Sequence, residues 1–99
     1  MRHKETKATA ISRETKETVF KRDKGRCILC GAPGLPEAHY IRRSQGGLGI
    51  EQNVVTLCRP CHREFDEGKR HAEIKEFIKR YLNDFYPDFN DYERVYHKY

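Results

Sequence analysis

Four cysteines stand as Cys27-Ile28-Leu29-Cys30 and Cys58-Arg59-Pro60-Cys61, two C-x-x-C pairs with 27 residues between them. Two thiolates three positions apart on a tight turn can grip one tetrahedral ion, and a second knuckle completes a four-sulfur shell. Turn formers surround both pairs: Gly25 precedes Cys27, Gly31 follows Cys30, and Pro60 lies inside the second pair. A lone C-x-x-C also suits a redox pair, but two knuckles without the strand–helix pattern of a redox domain favour a metal. The chain shows no apolar export signal at its start, so reduced thiols are expected. The expectation is a structural Zn2+ on Cys27, Cys30, Cys58 and Cys61, contributing on the order of 10 kcal/mol to folding.

A second pattern lies between and just after the knuckles. It reads His39-Tyr40-Ile41-Arg42-Arg43-Ser44-Gln45-Gly46-Gly47, then Asn53-Val54-Val55-Thr56-Leu57-Cys58, then Cys61-His62. A histidine on a strand, an R-S-x-G-G turn, an N-x-x-x-L-C-x-x-C-H run and the lead-in Val19-Phe20-Lys21-Arg22-Asp23 together resemble the HNH endonuclease family. The resemblance covers residues 19–66, about half of the chain. It implies a ββα-metal module, in which a hairpin and a helix hold a divalent cation. It also implies hydrolysis of DNA phosphodiester bonds, leaving 5′-phosphate ends.

The chemistry of the side chains agrees. Phosphodiester hydrolysis at neutral pH needs a base for water, a cation for the phosphate and leaving oxygen, and rigid positioning. His39 has the ordinary pKa of a general base. His62 and Asp66 are four apart on the helix begun by Pro60, so they share a face and could hold one cation (Mg2+, Mn2+, Ni2+ or Zn2+). In family members resembling colicin nucleases, the residue four beyond this histidine is a metal ligand, which supports Asp66. Cys61 and His62 point about 100° apart around the same helix, so one helix can serve both ions. Asn53 is the middle letter of the signature, an amide able to pin the Gly46–Ile50 connection and orient the base. Arg42, Arg43 and Arg63 are candidate nucleic-acid contacts. One departure stands out. Many family members place Asp or His directly before the base histidine, where this chain has Ala38. Either His62, Asp66 and waters hold the ion, or Glu37 substitutes from the same strand face as His39, or binding is weakened.

These groups need elements to carry them. Ser12 can cap a helix over 13–24 that directs Val19 and Phe20 at the first knuckle. Short β-prone pieces at 38–41 and 54–57 predict a two-stranded hairpin with a long glycine-rich connection. A helix follows from Pro60 to Glu67, stopped by Gly68. Another runs over 71–86, where Ile74, Phe77, Ile78, Tyr81, Leu82 and Phe85 form an amphipathic stripe ended by Pro87. Asn90 with Glu93 offers a cap for a last short helix that would set Tyr92, Val95, Tyr96 and Tyr99 on one face, packed on that stripe. The fold expected is α+β, a small zinc-stapled domain with an HNH hairpin-plus-helix core and flanking terminal helices. Residues 1–11 read as a flexible basic arm, 12–70 as the nuclease module, and 71–99 as a helical extension packed on it.

Composition sets the frame. Ninety-nine residues, 36% hydrophobic with no Trp, allow one domain with a modest core. No apolar run approaches the roughly 18 residues of a membrane span. The net charge of +5 favours a polyanionic partner, and DNA is the expected one. The basic excess lies over 1–26, with nine basic against four acidic residues, and over 59–80, with seven against five. The segment 27–58 is balanced at two and two. The expectation is therefore a cytoplasmic, metal-dependent DNA endonuclease of phage or bacterial type, with a larger phage or bacterial protein as a further candidate partner. The alternatives are a catalytically weak or inactive zinc-stapled nucleic-acid-binding module, and a structural zinc module whose aromatic tail binds protein.

Overall fold

Ser12 starts the first helix, its Oγ accepting from the Thr15 N–H at 3.1 Å. In this computed structural model, which describes residues 7–97, that helix, α1, spans Arg13–Arg22. It ends two residues before the expected Lys24. Lys24 and Gly25 take φ of 59° and 68°, a left-handed turn that feeds the first knuckle. Val19 is fully buried, but Phe20 is 45% exposed. Its ring lies over Gly25, where a Cβ would come 2.7 Å from the ring's Cζ.

Strand β1 (Leu35–His39) pairs antiparallel with β2 (Val54–Leu57), placing Ala38 opposite Val55 and His39 opposite Val54. The register is irregular between Leu35 and Ala38. β1 begins and ends earlier than the expected 38–41, because Asn53 takes over the pairing beyond His39. The Tyr40 N–H donates to the Asn53 carbonyl at 2.7 Å, and the Ile41 N–H to the Asn53 side chain at 2.9 Å. Helix α2 (Arg59–Glu67) begins with Cys58 as its N-cap residue and stops at Gly68. Helix α3 (His71–Phe85) follows.

The core joins these elements: Ala38, Tyr40, Val55 and Leu57 from the hairpin region meet Phe65 of α2 and Ile74, Ile78 and Leu82 of α3. The buried stripe of α3 is narrower than the sequence predicts, since Phe77 and Phe85 are about half exposed. A polar network crosses beneath it. The Asp23 carboxylate accepts from Arg22, from the Thr56 N–H at 2.9 Å and from the Tyr81 hydroxyl at 2.6 Å. Arg22 also donates to the Glu51 and Val54 carbonyls, both at 2.7 Å.

Both terminal segments depart from expectation. Asn90 and Glu93 do form a capping box, starting a 3-10 turn over Asp91–Arg94. The residue it buries is Arg94, 1% exposed, whereas Tyr92 is 69% exposed. The Arg94 guanidinium lies 5.5 Å from the Tyr40 and Phe89 ring centres and donates to the Gln52 carbonyl at 2.6 Å. The tail fastens the glycine loop: the Leu48 N–H donates to the Arg94 carbonyl and the Tyr96 N–H to the Gly46 carbonyl. It therefore packs on that loop; Tyr99 lies outside the described residues. Of the expected basic arm, residues 1–6 also lie outside them. Residues 7–9 are helical, and Thr9 is buried at 2% exposure. No helix among the described residues is long and apolar enough to cross a membrane.

Candidate active site and metal centre

The first knuckle closes on backbone hydrogen bonds. The Cys27 N–H donates to the Ala32 carbonyl at 2.7 Å, and the Gly31 N–H to the Cys27 carbonyl at 2.9 Å. Gly31 sits at φ 82°. The Ile28 N–H donates to the Thr56 carbonyl, which ties this knuckle to β2. The second knuckle is the start of α2, so β2 delivers one pair of thiols beside the other. All four Sγ atoms lie within 4.8 Å of one another, and Cys30 and Cys58 are 3.6 Å apart. That spacing is far beyond a disulfide bond and close to the roughly 3.8 Å edge of a tetrahedral zinc–thiolate shell. Burial pushes the Cys27 thiol up, but backbone N–H groups of Cys58, Cys30 and Leu29 outweigh it and bring it down to about 7. Burial and the three neighbouring thiols hold Cys61 well above the ordinary range. Crowded sulfurs of this kind need a cation to ionise together. The cluster is positioned to bind a metal ion, and it is the one such group of three or more ligands among the described residues.

On the other side of α2, Glu37, His39, Arg42, Arg43, Ser44, His62, Asp66 and Glu67 line a cleft of about 450 Å³. The structure thus brings His39, His62, Asp66, Arg42 and Arg43 together, from β1, the turn after it and α2. Arg63, exposed on α2, does not line the cleft. The pair His62 and Asp66 is formed, with Nε2 to Oδ2 at 3.3 Å. Arg42 spends a donor within the fold, its Nη2 meeting the Asp66 carbonyl at 2.6 Å.

His39 is half-buried at the end of β1, and its Nε2 is 2.8 Å from the Thr9 carbonyl oxygen. Burial holds the ring's pKa below its ordinary value against the opposing pull of that carbonyl, and the charges of Arg43 and His62 add to the lowering. Asn53 is fully buried. Its Oδ1 accepts from the Ile41 N–H at 2.9 Å, while Nδ2 donates to the Leu48 carbonyl at 2.8 Å and the Ile41 carbonyl at 3.2 Å. It stitches the glycine connection to the hairpin next to His39 and does not line the cleft. Ala38 points away from the cleft into the core, fully buried. Glu37 is the residue on the cleft side, and Lys16 stands 3.8 Å from its carboxylate. Sequence reasoning missed Thr9, because a backbone carbonyl leaves no mark in residue type.

Residues 27–66 match the family model described as HNH endonuclease. The resemblance drawn from the sequence therefore holds over that segment, narrower than the 19–66 expected. The chain is also 28% identical over 67 residues to a protein named Anaredoxin from Nostoc sp. (strain PCC 7120 / SAG 25.82 / UTEX 2576). That match spans 66% of this chain and 88% of the relative, whose name speaks of no nuclease.

Proposed function

We propose that this protein is a metal-dependent HNH-type endonuclease that hydrolyses DNA phosphodiester bonds. The observation that carries the reading is the cleft itself: a half-buried histidine held by a carbonyl at 2.8 Å, facing the same space as a histidine–carboxylate pair. His39 is the general base. Its Nε2–H is engaged by Thr9, which leaves the Nδ1 lone pair to take a proton from the attacking water. Arg43 supplies positive charge at the cleft wall for the phosphate. His62 and Asp66 are the residues that would hold a divalent cation (Mg2+, Mn2+, Ni2+ or Zn2+). When bound, that cation supplies charge stabilisation for the phosphate and the departing 3′ oxygen. Asn53 keeps the turn after the base in register. Zn2+ on the four cysteines would be structural. DNA is the substrate class that suits a net charge of +5 and the matched family.

A second reading, a zinc-stapled nucleic-acid-binding module without cleavage, is favoured by one observation. Ala38 offers no ligand, and the potential ligand pair formed in the cleft is His62 with Asp66. One experiment separates the readings. Plasmid DNA is incubated with zinc-loaded protein plus Mg2+, Mn2+ or Ni2+, beside a His39→Ala variant. Cleavage that falls by about 100-fold or more in the variant supports the nuclease. No cleavage with any ion, or equal cleavage by the variant, sinks it; salt-sensitive DNA retention without cleavage then supports the module.

A further inference from the structure

We propose that residues 7–11 form a strap that holds the His39 ring in its working orientation, making the Thr9 backbone carbonyl a positioning group for hydrolysis. The inference rests on the nuclease reading and extends it to a segment outside residues 27–66. A carbonyl oxygen only accepts, so the 2.8 Å contact requires the proton on Nε2 and fixes the tautomer. His39 is the last residue of β1, and this carbonyl restrains its ring from outside the hairpin.

The strap is anchored independently of the histidine. The Gly49 N–H donates to the Ala8 carbonyl at 3.0 Å. A Cβ on Gly49 would lie 2.1 Å from the Ala10 oxygen, 2.5 Å from its carbonyl carbon and 2.9 Å from the Ile11 nitrogen. Its three nearest neighbours are thus all strap backbone. Glycine at 49 is what lets one backbone cross the other so closely. From the cleft side, Arg43 Nε donates to the Thr9 Oγ1 at 3.3 Å. Contacts from β1, the glycine connection and the turn after β1 therefore converge on residues 8–10. A general base must stay within hydrogen-bond reach of its water, and a ring free to turn about its side-chain bonds is in place only part of the time.

Two full-length variants displace the strap without touching His39. Gly49→Val puts a side chain where the strap backbone runs. Ala10→Pro disfavours the helical conformation of Thr9 and swings its carbonyl away. Both are compared with wild type for bound zinc, plasmid cleavage and the NMR signal of the His39 Nε2–H. In wild type that proton should be slow to exchange with water. In each zinc-loaded variant the protected signal should be lost, and kcat should fall roughly 10–100-fold with KM little changed. The strap is overturned if either folded variant loses the protected proton yet keeps wild-type kcat, or if the proton stays protected in both. Failure of the nuclease reading looks different: wild type does not cleave, or His39→Ala cleaves equally well. The Nε2–H signal then decides the strap alone, and its survival in the variants refutes it.

Discussion

Replacing Asn53 tests whether the middle of the signature is a positioning element. The fully buried amide makes three hydrogen bonds to backbone, one accepted from Ile41 and two donated, to Leu48 and Ile41. Asn53→Ala removes all three. At about 1 kcal/mol net each, with up to about 2 more for backbone groups left without a partner, the loss is about 3–5 kcal/mol. That is a large share of a small domain's stability, and it lowers Tm by roughly 10–25 °C. Asn53→Asp separates hydrogen bonding from mere loss of volume. The Oδ1 acceptor for Ile41 survives, but the donor becomes an oxygen facing two carbonyl oxygens. At pH 8 the aspartate variant should therefore be less stable than the alanine variant. Protonation turns that oxygen back into a donor, so the folded carboxyl's pKa is raised. Its contribution is fully present below the unfolded pKa and is lost as pH rises through the folded one. The gap between the two variants should narrow from pH 8 to pH 6. Urea midpoints with zinc present measure it, and the shared metal centre cancels in the difference. An aspartate variant as stable as wild type at pH 8 would refute the assignment of the Nδ2 donors.

Three other outcomes follow from the same geometry. Asp23→Ala strands the Arg22 guanidinium and leaves the Thr56 N–H and Tyr81 hydroxyl without their acceptor. The cost should be about 3–5 kcal/mol by denaturant titration, and a loss under 1 would show that water replaces the carboxylate. Stripping metal with a chelator at neutral pH should unfold the domain, because about 10 kcal/mol of binding energy exceeds what so small a core holds in reserve. Far-UV circular dichroism reads the loss and its recovery on adding zinc, and a native spectrum after stripping would contradict it. Burial depresses the His39 pKa, so the ring stays neutral to lower pH than an ordinary histidine. The acid limb of the cleavage rate should lie below the ordinary histidine value, and the ring's contribution to folding should be intact above pH 6.5 and lost as pH falls through the folded pKa. A limb above 6.5 would speak against His39 as the titrating base.

The legible part of the site was written in side chains. The cysteine spacing announced the sulfur cluster, and the i, i+4 spacing of His62 and Asp66 announced their pairing on α2. β2 and both central helices were legible from periodicity and from Gly68 and Pro87. The rest depends on backbone groups and on partners distant in sequence. β1 shifted because Asn53, through both its backbone carbonyl and its side chain, closes the ladder after His39. The tail buried Arg94 instead of Tyr92 because two aromatic rings and the Gln52 carbonyl form a pocket that the local pattern does not reveal. The strap was hidden in a segment of small and charged residues, and only the close crossing at Gly49 gives a reason for it.

The two metal-related features of this chain are not independent, because α2 carries both. A nine-residue helix is not stable in water by propensity alone, so its direction is set by what grips its ends. At its start, Cys58 caps the helix, the His62 N–H donates to the Cys58 carbonyl at 2.9 Å, and Cys61 faces the sulfur cluster. At its end, Arg42 binds the Asp66 carbonyl at 2.6 Å, a cation placed where the helix dipole is negative. An ion held by the four sulfurs would therefore fix the tilt of His62 and Asp66 relative to His39 without touching the cleft. Arg42 does the same from the opposite end, by way of the turn that follows His39. In that arrangement Arg42 acts first by locating the carboxylate-bearing end of α2, which is why the phosphate role is proposed for Arg43 of the cleft wall.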